Sequence, residues 1–399
     1  MGTVWLQQAF KQAEDGEQQV IAWRRQIHRH PELGFEEEQT SQLIGTTLKQ
    51  LGIPYERVNR TGVVGRLIGA QPGRVIALRA DMDALPVQEK TGLPFASEID
   101  GKMHACGHDG HTATLLGVAA ALAPFRAQLN GEVRFLFQPS EEHFPGGALG
   151  MIEAGALDGV DAIFGVHYIA GIPSGKVGII PGPMMAAPDT FTLKVTGVGG
   201  HGSEPEATRD PIPAAAEMIE ALQTIVSRRV SPLKQAVVTV GTIHGGYANN
   251  VIADEVTMTG TMRSFEEPLR RALFDWMRQI VGGVAAAQGV EADLAIEEGY
   301  PPLVNEARMT ALVQQAVRNV FGPEGVLAIP PSMGGEDFSY FLQHVPGAFA
   351  HVGVHNEAKG IAGAQHSPTF MLDETIFLPT TQLFLQVVAD FLENGLSGA

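Results

Sequence analysis

Val75-Ile76-Ala77-Leu78-Arg79-Ala80-Asp81-Met82-Asp83 decides how this chain is read: a short apolar stretch that runs out into two carboxylates. Val75 to Ala80 has the composition of a buried strand. Val63 to Leu67, Val133 to Phe137 and Ile163 to His167 repeat the pattern, with helical stretches such as Ala113 to Leu122 between them. Alternating strand and helix predicts a largely parallel sheet covered on both faces. Ligands of such sheets sit in the crevice beyond the carboxyl ends of the strands. Asp81 and Asp83, Glu141 and Glu142, and His167 all fall at such ends, so three strands send metal-type side chains to one edge.

Working outward, Glu17 to His30 carries Val20, Ile21, Trp23 and Ile27 at helical spacing and stops at Pro31. Thr40 to Leu51 reads as a second helix. From Thr190 the rhythm changes. A strand (Thr190 to Thr196), a helix (Pro213 to Ser227), two strands (Val237 to Ile243, Val256 to Met262), a helix (Leu269 to Gln288) and a strand (Glu291 to Glu297) make a ferredoxin-like β-α-β-β-α-β unit. Pro181, Pro183 and Pro188 mark its entry and Pro301-Pro302 its exit. A last helix runs from about Thr380 to Leu392. The expected fold class is α/β: a doubly wound mixed-sheet catalytic domain (residues 1–187 and 300–399) interrupted by a ferredoxin-like lid (residues 188–299).

The 399 residues suit two domains, and 44% hydrophobic with 18% charged residues predicts a globular chain with a sizeable core. The formal charge of −17 argues against nucleic acid as a partner, since phosphate binding needs clustered Lys and Arg. A single cysteine, Cys106, leaves no internal disulfide to form and predicts a reducing compartment. Met1 to Phe10 lacks the pattern of a secretory signal, and no apolar run approaches the ~18 residues of a membrane span. A cytoplasmic location with no membrane partner is the expectation.

The chemistry lies in a few side chains. In Cys106-x-His108, read as extended, thiol and imidazole point the same way and can meet one metal cluster. A buried structural cysteine, or a Cys106 nucleophile with His108 as its base, are the other readings of that pair. Carboxylates nearby would raise the thiol pKa and disfavour the nucleophile. Glu141-Glu142 at a strand end point apart, so one can hold a metal while the other accepts a proton from the attacking water. Asp83 can orient a ligating histidine through its second nitrogen. His167 closes an apolar run, and His366 stands in Gln365-His366-Ser367-Pro368. Gly197-Val198-Gly199-Gly200-His201-Gly202 matches a dinucleotide fingerprint, but a proline-bearing loop follows where a helix is required.

With Asp81 to Pro86, Met103 to His111, Gln138 to Glu142, Gly199 to Gly202, Ala248 to Ile252, Gly260 to Phe265, Met333 to Phe338 and His366-Ser367-Pro368 in view, the chain resembles the metal-dependent N-acyl-amino-acid amidohydrolases. These include hippurate hydrolases, aminoacylases and auxin-conjugate hydrolases, and the resemblance covers essentially the whole chain. It implies an enzyme hydrolysing the amide of an N-acyl-L-amino acid, with a dipeptidase, carboxypeptidase or biosynthetic deacetylase as the alternative. It implies two divalent metal ions on Cys106, His108, Glu142, His167 and His366; a thiolate ligand favours zinc, and mixed donors also take manganese, cobalt or nickel. Glu141 would be the general acid/base with Asp83 supporting the site. His201 would reach the active site of a neighbouring subunit, so a homodimer or a dimer of dimers is implied, with the inserted unit serving dimerisation. Asn250, Arg263 and Gly335 match substrate-binding positions. Ser203-Glu204-Pro205-Glu206 departs from the family pattern by adding negative charge, and Ala253 stands where proline is usual. A cysteine hydrolase and a non-catalytic metal-binding protein are the rival classes.

Overall fold

A computed structural model describes residues 4–396, which fold as two compact units. The first comprises the chain up to Gly182, Val304–Pro330 and the portion from Asp337 onward; the second comprises Pro183–Leu303 and Pro331–Glu336.

In the first unit, helices α1 (Val4–Arg29) and α2 (Glu38–Gln50) precede strands β1 (Tyr55–Val58), β2 (Gly62–Ile68) and β3 (Gln71–Asp81). Helix α3 (His108–Leu122), β4 (Asn130–Gln138) and β5 (Ala162–Pro173) follow. One eight-stranded sheet is ordered β1-β2-β4-β3-β5, then Gly347–His355, Val177–Gly178 and Val326–Leu327. β4, β3, β5 and Gly347–His355 are parallel; β1 and β2 join antiparallel at one side, and Val177–Gly178 runs antiparallel to Gly347–His355 at the other. The sheet is therefore mixed, with a parallel centre. β4 is buried from Gly131 to Gln138, as a strand with both faces covered must be.

α3 is buried at every residue except Ala120 and packs against α1 and the Phe377–Asn394 helix. Gly117 permits that approach, since a Cβ there would lie 2.7 Å from Val20 Cγ2. A helix apolar all round carries no amphipathic period, so its first turn, from His108, is not visible as helix in the sequence. The segment Glu374–Asn394 is long and apolar enough to cross a membrane by length and composition. However, 72% of its most apolar window is buried inside the protein, as expected of a core helix. Phe384 of that helix meets Phe164 at 5.0 Å between ring centroids. Each such fully buried side chain contributes roughly 1.5–3 kcal/mol.

One expectation is corrected here. β5 does not end at His167 but continues to Pro173, because Gly347–His355 pairs with it and places His351 opposite His167. Only the register with β3 stops short of His167, at Gly165.

The second unit has a four-stranded antiparallel sheet ordered Ala236–Gly245, Glu255–Ser264, Ala187–Thr196 and Glu291–Glu297. Helices Pro211–Thr224 and Glu267–Gln288 connect the strands in β-α-β-β-α-β order. Asp210 caps the first helix by accepting the Ile212 N–H at 3.0 Å, and Gly289, at φ 67°, ends the second. Phe191, Leu193 and Val195 alternate with exposed or half-buried residues along their strand, leaving one face to pack under both helices. Buried Arg270 is matched by Asp189, which also accepts the Gly299 N–H at 2.9 Å. The glycine fingerprint leads into a short strand, Gly200–His201, and a 3₁₀ turn, Pro205–Ala207, with no helix opening behind it.

Candidate metal centre

Local backbone turns gather the chemistry beyond the carboxyl ends of β3 and β4, beside His167 within β5. Gly107, at φ 102°, is the N-cap of α3, and His108 is the first residue of the helix. Cys106 and His108 are thus not on an extended segment. The left-handed glycine turns the chain between them, and their side chains converge for that reason instead. Beyond β4, Ser140 has φ 50°, and His366 has φ 63°. Both are non-glycine residues in the left-handed region, a conformation costing of order 1–3 kcal/mol that concentrates at functional sites.

Cys106 Sγ lies 3.3 Å from His167 Nε2 and 3.3 Å from His366 Nε2. His366 Nε2 is 3.1 Å from Glu142 Oε1, and His108 Nε2 is 4.0 Å from the same oxygen. Three overlapping triplets have their donor atoms within 4.8 Å of one another: Cys106, His108 and His167; Cys106, Glu142 and His366; His108, Glu141 and Glu142. All but His366, which is exposed, are buried or half-buried. The structure therefore brings together all five residues read as ligands, with Glu141 among them.

The ring nitrogens are oriented for this. His108 Nδ1 donates to the Asp83 carbonyl (2.9 Å) and faces Asp83 Oδ1 (3.2 Å), turning Nε2 inward. His167 Nδ1 donates to the Tyr168 carbonyl at 2.9 Å, leaving the Nε2 lone pair towards Cys106. Such partners fix a ligand's tautomer and are worth about 10- to 100-fold in metal affinity. Accordingly, Asp83→Asn is expected to weaken metal binding by about 10- to 100-fold, read by competition against a chelator of known affinity.

Charge in the site favours cations. Burial opposes a proton on His108, yet the carboxylates of Asp81, Asp83 and Glu142 outweigh it and push its pKa up to about 10. Burial, and then Glu142, Glu141 and Asp81, push the Cys106 thiol well above its ordinary range. A cysteine in that field is a poor free nucleophile, whereas a cation beside it would stabilise the thiolate. His108 Nε2 is buried without a hydrogen-bond partner, and Glu142 Oε1, although close to His366, makes no well-aligned hydrogen bond. Mixed thiolate, imidazole and carboxylate donors with inward-facing, unsatisfied atoms fit divalent metal ions, and triplets sharing Cys106 fit two of them.

His111, in the same sequence motif, is a different case. Its Nδ1 donates to Asp81 at 2.6 Å and its Nε2 accepts the Tyr168 N–H at 2.8 Å, so neither nitrogen is free for a metal. Asp81 is held in turn by buried Arg79 at 2.6 Å, and Arg79 also binds Asp337 at 2.9 Å. This chain of contacts anchors the backbone next to His167. Sequence reasoning gave none of these residues the role, because nothing in their spacing marks which histidine has its nitrogens occupied.

His201, Asn250, Arg263 and Gly335 lie in the second unit. His201 and Asn250 are neighbours: His201 pairs with Val251, and the Gly202 N–H donates to the Asn250 carbonyl at 2.8 Å. The Ser203 N–H reaches His201 Nδ1 at 3.2 Å, so in the neutral ring Nε2 carries the proton. Arg263 sits opposite Pro188 in the sheet and donates to the Met262 carbonyl at 2.9 Å. Gly335 approaches the Pro188 ring so closely that a Cβ would lie 2.4 Å from its Cγ.

Residues 77–390 match the profile of peptidase family M20/M25/M40. The chain is 50% identical over 287 residues to an N-acyl-L-amino acid amidohydrolase of Geobacillus stearothermophilus, covering 72% of this chain and 78% of that protein. It is 42% identical over 361 residues to thermostable carboxypeptidase 1 of Saccharolobus solfataricus, covering 90% and 91%. Among solved structures, a dinuclear metal binding peptidase of the M20 family from Bacillus subtilis superposes with a TM-score of 0.84 at 37% identity, covering 95% of this chain and 99% of that one.

Proposed function

The chain belongs to peptidase family M20/M25/M40 and is a hydrolytic enzyme acting on amide bonds; from that premise we propose that it cleaves N-acyl-L-amino acids into a carboxylate and a free amino acid. The observation that carries this reading is the convergence of Cys106, His108, Glu142, His167 and His366, with the Glu141 carboxylate beside His108 and Glu142. Two divalent cations held by those five residues, zinc first because of the thiolate and otherwise manganese, cobalt or nickel, would polarise the scissile carbonyl and acidify the attacking water from about 15.7 towards roughly 7.

The remaining work falls to the chain's own groups. Glu141 accepts the proton of the attacking water and passes it to the nitrogen as the C–N bond breaks, so the products are carboxylate and amine. Asp83 supports this by holding His108 from one side and the N–H groups of Glu141 and Glu142 from the other, each at 3.0 Å. His201, presenting Nε2–H, steadies the oxyanion from a neighbouring subunit. Asn250, Arg263 and the Gly335 backbone hold the α-carboxylate of the substrate, an anion that suits the guanidinium fork. The second unit acts as a ferredoxin-like lid and dimerisation module on a catalytic domain of residues 1–187 and 300–399, in a cytoplasmic homodimer or dimer of dimers.

A carboxypeptidase or dipeptidase reading shares this chemistry, since its scissile nitrogen also carries an α-carboxylated carbon, and the Saccharolobus relative favours it. Metal-reconstituted protein assayed for amine release separates the two. N-acetyl, N-benzoyl and indole-acyl amino acids are expected to be cleaved faster than dipeptides with a free amino terminus. Faster cleavage of the dipeptides would replace the first reading by the second, and no amine release from any of them would remove both.

A further inference from the structure

We propose that Glu37 is a positioning residue for Glu141, holding the turn that carries it; this rests on Glu141 acting as the general acid/base. Glu37 occupies the N-cap position of α2 but makes no capping hydrogen bond to its own helix. The capping is done by Glu32, whose carboxylate accepts the N–H groups of Gln39 at 3.0 Å and Thr40 at 2.9 Å. Relieved of that role, the Glu37 side chain is fully buried and turned towards the end of β4. Its Oε1 accepts the Ser140 N–H at 2.9 Å, and its Oε2 accepts the Thr61 hydroxyl at 2.6 Å.

Ser140 is the left-handed residue of the turn, and its own hydroxyl is buried without a partner, so its side chain does not stabilise that conformation. Three successive N–H groups, of Ser140, Glu141 and Glu142, therefore point at two carboxylates, Glu37 for the first and Asp83 for the other two. Successive N–H groups at a left-handed residue form a concavity that binds anions. Here side chains of the same chain occupy it. The turn is pressed from a second side by Gly34, where a Cβ would fall 2.5 Å from Ser140 Oγ. The segment from Glu32 to Glu37 thus braces the one turn on which the Glu141 carboxylate depends. Burial, with some repulsion from Asp83, pushes Glu37 up to about 7.

The test uses the metal-loaded enzyme and whichever N-acyl-amino acid it cleaves best. Glu37→Ala is expected to lower kcat by about 10- to 100-fold, the cost of a small misplacement of a reacting group. KM should stay within about two-fold, since substrate binding is not the property lost, and metal content should be unchanged. Glu37→Gln, which still offers an oxygen to the Ser140 N–H, is expected to restore most of kcat. Gly34→Ala, which pushes on Ser140 and removes no hydrogen bond, is expected to lower kcat in the same manner and decides the matter if Glu37→Ala does not fold. Wild-type kcat in folded Glu37→Ala or in Gly34→Ala, or a Glu37→Gln as impaired as the alanine variant, would overturn the positioning role. Glu141→Gln assayed in parallel keeps the two claims apart. Full turnover there removes the acid/base reading itself, whereas an inactive Glu141→Gln beside a fully active Glu37→Ala removes only the role of Glu37.

Discussion

Glu141→Gln is expected to lower kcat by about 10²- to 10⁴-fold, the range general acid–base catalysis supplies, while leaving metal content intact. The two adjacent glutamates are distinguished by what they face. Glu142 Oε1 lies between His366 Nε2 and His108 Nε2 and belongs to the triplet with Cys106, so its loss opens the donor set. Glu141 comes within reach of the donors of His108 and Glu142 but is not part of either triplet built on the thiol. Its side chain is buried, only 7% exposed. Glutamine keeps the shape and the backbone hydrogen bond to Asp83 but cannot take a proton. Metal content by mass spectrometry together with steady-state kinetics on the same preparation checks this. A variant that retains metal and turns over at the wild-type rate would move the proton-transfer role to another group.

Much of this was legible because strand ends are punctuated in the sequence. Val75 to Ala80 followed by Asp81 and Asp83 announces a buried strand that empties into carboxylates, and the sheet places β3 beside β4 and β5 as that reading requires. The six-element order from Thr190 to Glu297 was legible too, because Ala187–Thr196 and Glu291–Glu297 alternate cleanly between buried and more exposed residues. What period cannot encode was missed. α3 starts at His108, five residues before the stretch that reads as helix, since a helix buried on all sides has no polar face to mark its first turn. His167 looked like a terminus because the apolar run changes character there, yet pairing with Gly347–His355 carries the strand on. The roles of Glu37 and His111 depend on hydrogen bonds that reach across 103 and 57 residues, and no local pattern specifies those.

Stripping the metal, or removing Glu142, is expected to abolish activity altogether and to destabilise the first unit. Asp81, Asp83, Glu141, Glu142 and the Cys106 thiol crowd one buried region, where Arg79 pairs with Asp81 and histidines stand beside the other carboxylates. Divalent ions bound there would offset that repulsion, and their binding free energy adds to folding by mass action. A ligand present at about 1,000 times its dissociation constant stabilises the folded state by about 4 kcal/mol. Chelation should therefore lower the melting temperature as well as remove turnover, and re-addition of a divalent metal should restore both. Glu142→Ala should fail to recover either on reloading, because the deficiency lies in the donor set. The thiol gives the sharpest contrast with a cysteine nucleophile. A metal-ligating Cys106 is shielded from alkylation while the enzyme is loaded and becomes reactive after chelation, whereas a catalytic thiol reacts in the loaded enzyme and its activity survives the chelator. Activity that persists in metal-free protein, with Cys106 alkylated readily before chelation, would exclude the metal centre as the seat of the chemistry.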